Sequence, residues 1–181
     1  IDNPAVTVNE GTASVTLAVS IDNDSDTACE FSVVVNGGSS TATDPDDFSA
    51  AAIPATGSIA AFASSTTVVV PLLDDDVHEN GGVAETLVLD FSNTNSGCVG
   101  TPSATISITE MDPVPTVSIG NGDVTVQENP DSTVTVSLEL DVASDVDCVI
   151  TVTNPLETAS PGDDYVAFGA DYTVVSGTQA I

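Results

Sequence analysis

The side chains able to do chemistry in this chain of 181 residues are almost all carboxylates. Asp and Glu supply 28 positions against no Lys, no Arg and one His, a formal net charge of −28. Many gather in short runs: Glu10, then Asp44, Asp46 and Asp47, then Asp74, Asp75, Asp76 and Glu79, then Glu85, then Glu110 and Asp112. No basic side chain exists to pair with them, so each must be solvated, hydrogen-bonded, protonated or bound to a metal cation. Like charges a few ångströms apart repel too strongly to stay ionised together without compensation. Hard divalent cations supply it. Ca2+ takes about six to eight oxygen ligands in irregular geometry, whereas Mg2+ demands stricter octahedra and keeps water. Carboxylates drawn from several loops therefore point to Ca2+ as the bound ion.

The missing cations exclude other chemistry. Nucleic-acid binding needs Lys and Arg to displace counterions from phosphates. Anionic membrane surfaces repel the chain, and no apolar window approaches the length of a membrane span, so direct membrane insertion is not expected. Catalysis lacks a constellation: Ser and Thr are abundant, but there is no G-x-S-x-G elbow and no second base beside His78. His78 reads as an exposed loop histidine. Asp22-Asn23-Asp24-Ser25-Asp26 starts like an EF-hand loop, but the required Gly and distal Glu are absent. It reads as a solvated loop, with a weak ion site as the alternative. Asn23 also heads the single N-x-S/T sequon, a weak candidate for glycosylation.

The elements that must position the acids are strands. Ser14-Val15-Thr16-Leu17-Ala18-Val19 and Thr105-Ile106-Ser107-Ile108 alternate polar and apolar residues, and Gly or Pro breakers separate such runs. β-branched residues dominate, and no segment carries a helical period. The expected fold class is all-β: an antiparallel, immunoglobulin-like β-sandwich. Seven strands are expected near 4–10, 13–21, 29–36, 57–62, 66–73, 84–92 and 102–109. Successive strands reverse direction, so the first, third, fifth and seventh all point to one pole. The 11 carboxylates from Glu10 to Asp112 named above collect there from sequence-distant segments.

The unit also repeats. Val6-Thr7-Val8-Asn9-Glu10 returns as Val124-Thr125-Val126-Gln127-Glu128, and Asp46-Asp47-Phe48 as Asp163-Asp164-Tyr165, about 118 residues later. The expected domains are a complete sandwich over 1–112, a hinge at 113–115 (Pro113-Val114-Pro115) and a partial second copy over 116–181 holding its first strands, A to D. The later strands of that copy would come from further chain or from a neighbouring subunit.

Several of these residues resemble a known family. Val8-Asn9-Glu10-Gly11, Asp47-Phe48, Leu72-Leu73-Asp74-Asp75-Asp76-x-x-Glu79, Glu85-Thr86-Leu87-x-Leu89 and Ala104-Thr105-Ile106-Ser107-Ile108 followed by acids look like a Calx-β domain. The resemblance implies a tandem, calcium-binding β-sandwich. By match, the implied ligands are Glu10, Asp47, Asp74, Asp75, Glu79, Glu85, Glu110 and Asp112, with Asp76 in the same acidic run. In the second copy they are Glu128, Asp163 and Asp164. Met111 stands where the family usually has a terminal Asp, and Asn80-Gly81-Gly82-Val83 lengthens the step from Glu79 to Glu85.

Cys29 opens the third strand and Cys98 follows the sixth, which should run antiparallel beside it, so the two thiols are expected disulfide neighbours. Three buried thiols are the alternative. Cys148 is the repeat equivalent of Cys29, with its partner expected in the absent part of the second copy. A disulfide implies an oxidising, extracellular or cell-surface setting. The chain thus reads as a non-enzymatic structural or adhesive segment of a surface fibre, stalk or filament, stiffened by Ca2+ at the interdomain pole. Its partners would be adjacent repeats or copies of itself. The alternatives are a regulatory calcium sensor and a halophilic surface protein whose acidity serves solvation.

Overall fold

The structure is a computed structural model, and it describes residues 4–120, 135–150 and 172–174. The chain divides into two compact units, residues 1–75 with 82–111 and residues 76–81 with 112–181. Among the described residues every regular element is a strand or a short 3₁₀ turn.

The first unit holds β1 (Ala5–Asn9), β2 (Ser14–Ser20), β3 (Cys29–Val35), β4 (Thr56–Ile59), β5 (Ser65–Pro71), β7 (Glu85–Asn93) and β8 (Ser103–Thr109). β6 (Val77–His78) interrupts that order and belongs to the second unit. Alternation sets the faces. Val15, Leu17 and Val19 of β2 are buried, while Ser14 and Thr16 are exposed and Ala18 is half-buried. β5 does the same with Val68 and Val70, β7 with Leu87, Leu89 and Phe91, and β8 with Ala104, Ile106 and Ile108. These rows face one another across two sheets, one ordered β1-β8-β7-β3-β4 and the other β2-β5. Leu17, Ile59, Val70, Leu87, Leu89 and Ile106 are essentially fully buried at the centre, each contributing about 1.5–3 kcal/mol of apolar transfer.

Register follows the same pattern. Leu87 of β7 pairs with Ile106 of β8, and Leu17 of β2 with Val68 of β5. The expected antiparallel order holds for β3–β7, β7–β8, β3–β4 and β2–β5. β1–β8 differs and is parallel, with Val6 opposite Ile106 and Val8 opposite Ile108. The reason lies in the alternation itself. The first and last strands point the same way, so when they become neighbours they can pair only in parallel.

Cys29 and Cys98 form a disulfide, with Cα atoms 5.3 Å apart and a sequence separation of 69. The loop after β7 is fastened to the start of β3 by further bonds. Asn95 Nδ2 donates to Ala28 O at 2.8 Å and Asn93 Nδ2 to Cys98 O at 2.8 Å. Gly97 is required there, because a Cβ at that position would lie 2.2 Å from Ala28 O.

The second unit contains β6, β9 (Val117–Ile119), β10 (Leu138–Leu140), β11 (Ala143–Ser144), β12 (Cys148–Ile150) and β13 (Tyr172–Val174). β9 and β10 are antiparallel, as are β12 and β13, while β6 and β11 pair in parallel with Ser144 opposite His78. This corrects the sequence reading of His78. It is buried, not exposed, because β11 pairs with the short β6 and Asp145 N–H donates to His78 O at 3.2 Å. Its Nδ1 lies 3.1 Å from Asp112 O, and since a carbonyl only accepts, Nδ1 carries the proton. The Thr116 N–H donates to Asp141 Oδ1 at 2.6 Å, which holds the Asp141 carboxyl below its ordinary value.

Candidate metal centre

The acids of the first unit arise where core-facing rows run out of apolar residues. In β1 the inward positions are Val6 and Val8, and the next in step is Glu10. In β8 they are Ile106 and Ile108, and the next is Glu110. Running the other way along β7, Phe91, Leu89 and Leu87 lead to Glu85. These strands are neighbours in the order β1-β8-β7. Period-2 geometry therefore delivers three Glu side chains to one face at one end of the sheet. The Glu10 N–H donates to Thr109 O at 2.9 Å, extending the β1–β8 ladder by one residue and fixing Glu10 beside Glu110.

Asp47 comes from the loop between β3 and β4 and is 2% exposed. Thr43 N–H donates to Asp47 Oδ2 at 2.6 Å, and Asp47 N–H returns a bond to Thr43 O at 3.0 Å. Leu73 N–H then donates to Asp47 O at 2.8 Å, and Phe48 bridges Leu72 beside it. The loop is thereby stitched to the end of β5, where Asp74 and Asp75 follow. Gly11 makes the adjoining turn with φ +76, and a Cβ there would stand 3.3 Å from Asp74 Oδ1. The turn thus brings bare backbone against that carboxylate.

The geometry centres on Glu10, itself buried. One of its carboxylate oxygens lies within 4.8 Å of an oxygen of Glu110, and one lies within 4.8 Å of an oxygen of Asp47. Two unit charges at that distance repel by on the order of 3 kcal/mol at an effective dielectric near 20. The donors are all oxygen and come from three chain segments, in a sequence with no Lys and no Arg. That donor set fits Ca2+.

The other expected ligands are placed as follows. Glu85 is half-buried at the start of β7, opposite Ile108. Asp74 and Asp76 are exposed, and Asp75 is half-buried. Glu79 and Asp112 fall in the segments of the second unit that join the first by peptide bonds. Asp44 and Asp46 serve the turn: Asp44 Oδ1 accepts from Ala50 N–H at 3.1 Å and Asp46 Oδ2 from Thr43 Oγ1 at 3.1 Å. Asn23 is exposed between β2 and β3. Glu128, Asp163 and Asp164 lie outside the described residues. Sequence reasoning missed the parts played by Thr43 and Gly11. The Gly after Glu10 was a usable signal for the turn, whereas nothing marked the Thr43 amide.

No family profile matches the chain, and no curated protein matches it. Solved structures do resemble it. A crystal structure of CBD12 from CALX1.2 is 16% identical over 98% of this chain and 70% of that chain, with a TM-score of 0.50. The calcium binding domain CBD12 of CALX1.1 is 14% identical over the same shares, with a TM-score of 0.49. The apo form of the Calx CBD1 domain is 18% identical over 58% of this chain and 90% of that chain, with a TM-score of 0.45. At 16% identity the likeness to the first of these is one of fold alone, a β-sandwich.

Proposed function

We propose that the first unit is a calcium-binding β-sandwich module of a non-enzymatic extracellular repeat protein. The observation that carries this reading is the buried Glu10 carboxylate beside those of Glu110 and Asp47, in a chain with no Lys and no Arg. Glu10, Asp47 and Glu110 would hold Ca2+, and Asp74, Asp75, Glu79, Glu85 and Asp112 are the further ligands the sequence offers. The ion supplies the positive charge that the polypeptide lacks. Calcium so bound would stiffen the chain between repeats. That suits a segment of a surface fibre or stalk whose partners are adjacent repeats or further copies. The Cys29–Cys98 disulfide supports an oxidising, extracellular setting.

The test is thermal melting with calcium varied at fixed ionic strength. Calcium at 100 times its dissociation constant should stabilise the first unit by about 2.7 kcal/mol per independent site. Glu10→Gln and Asp47→Asn should each remove most of that shift. Equal stabilisation by NaCl alone would replace the calcium site with general charge screening.

A further inference from the structure

The two-stranded sheet of the first unit has edges that no described residue closes. Among the described residues β2 and β5 pair only with each other. Their ladder fixes which backbone groups face outward. Ile21 N–H donates to its opposite residue Ser64 at 2.9 Å, and Leu72 N–H donates to its opposite residue Ala13 at 3.2 Å. The hydrogen-bonded pairs therefore fall on the odd-numbered residues of β2. Val15, Leu17 and Val19 turn their backbone groups toward β5 and their side chains into the core. Ser14, Thr16 and Ala18 turn their N–H and C=O groups away from β5, and among the described residues no other strand pairs with them.

β2 is the most open edge for a further strand. It has seven residues, with no Gly and no Pro, against five in β1 and four in β4, which contains Gly57. β5 ends in Pro71, which has no N–H, and the Phe48 loop already meets its end. Natural edge strands are usually protected by charge, Pro or a bulge, and β2 (SVTLAVS) has none of these. A neutral, β-branched seven-residue segment is the kind that pairs with its own kind.

Charge decides the occupant. Two copies each carrying −28 can approach only over neutral surface. The outward side chains of this sheet, Ser14, Thr16, Ala18, Ser65, Thr67 and Val69, are all neutral. A basic partner, which the rest of the surface would attract, finds no carboxylate to hold here.

We propose that β2 is a pairing edge for a second copy of this chain, antiparallel about a two-fold axis through Thr16. Thr16 then lies opposite the Thr16 of the second copy, and Ser14 opposite its Ala18. The outward donors and acceptors are self-complementary in this register, and the two β2-β5 sheets become one sheet of four strands with a continuous apolar inner face. This pairing does not depend on calcium.

Sedimentation equilibrium of the intact chain in EGTA tests it. The mass should rise from 18.1 kDa toward twice that value as NaCl shortens the Debye length from about 10 Å to about 3 Å. Thr16→Asp places a carboxylate on each side of the axis and should hold the chain monomeric at every salt concentration, with unchanged melting. Should that variant fail to fold, crosslinking decides. Facing residues in hydrogen-bonded pairs have Cα atoms about 5.5 Å apart, within disulfide reach. In a Cys148→Ser background, Thr16→Cys should therefore form a covalent dimer with oxidised glutathione faster than Thr7→Cys or Thr67→Cys. A monomer at all salt concentrations, undiminished dimerisation of folded Thr16→Asp, or faster crosslinking at Thr7 or Thr67 would overturn the assignment. None of these results touches the calcium melts, so the two readings fail separately.

Discussion

Glu10 shows how one position serves both fold and site. Its backbone N–H continues the β1–β8 ladder while its side chain takes the next inward place after Val6 and Val8. A Val there would have extended the core. A Glu leaves a buried carboxylate facing two others. The neighbouring Gly11 is needed for its left-handed backbone and for its missing Cβ. Gly11→Ala should therefore destabilise the first unit by about 1 kcal/mol or more, and should weaken calcium binding because the methyl crowds Asp74. Calcium titration followed by urea melts would register both effects. In the second unit, Asp141 offers a pH test. The Thr116 N–H lowers its folded pKa from the ordinary 3.8. Because the pKa is depressed on folding, its stabilising effect is full well above pH 3.8 and is lost as pH falls through the folded value. A carboxyl NMR titration should place the Asp141 midpoint below 3.8, and a midpoint at or above it would contradict the bond.

At the scale of elements, the first unit is held by alternating strands and one covalent clasp. The disulfide joins the start of β3 to the loop that follows β7 and closes a long stretch of chain. In the chain-entropy account such a closure contributes roughly 4 kcal/mol. Cys98→Ser should lower stability by about 2–5 kcal/mol, measured by denaturant unfolding of the oxidised protein against the variant. The Asn95 and Asn93 bonds keep the loop in place without the sulfur, so the variant should still fold and still bind calcium. β5 and the Asp47 loop form a second linkage. Phe48 against Leu72 and Leu73 N–H to Asp47 O carry a loop acid to the end of a strand far from it in sequence.

Across the whole molecule the dominant physical fact is a charge of −28 with nothing opposite to it. Without calcium, NaCl should stabilise the chain steadily as the Debye length shrinks and then level off near 1 M, where it is about 3 Å. Melting curves over a NaCl series in EGTA would show this, and a flat series would mean that the acids are too dispersed to repel. Much of this protein was legible in its residues. Period-2 rows set the strands and their buried faces, the breakers set the turns, and the absence of Lys and Arg left His78 as the one basic side chain. The Cys29–Cys98 disulfide was expected from an antiparallel sixth strand beside the third, with three buried thiols as the alternative, and the structure forms it. The tertiary structure decided what depends on which elements become neighbours. Strand periodicity cannot say that β1 joins β8 in parallel and so sets Glu10 beside Glu110. Nor can it say that the Thr43 amide fastens Asp47, or that His78 becomes buried when β6 meets β11. Each of these rests on contacts between segments far apart in the chain, and local sequence carries no direct record of such distances.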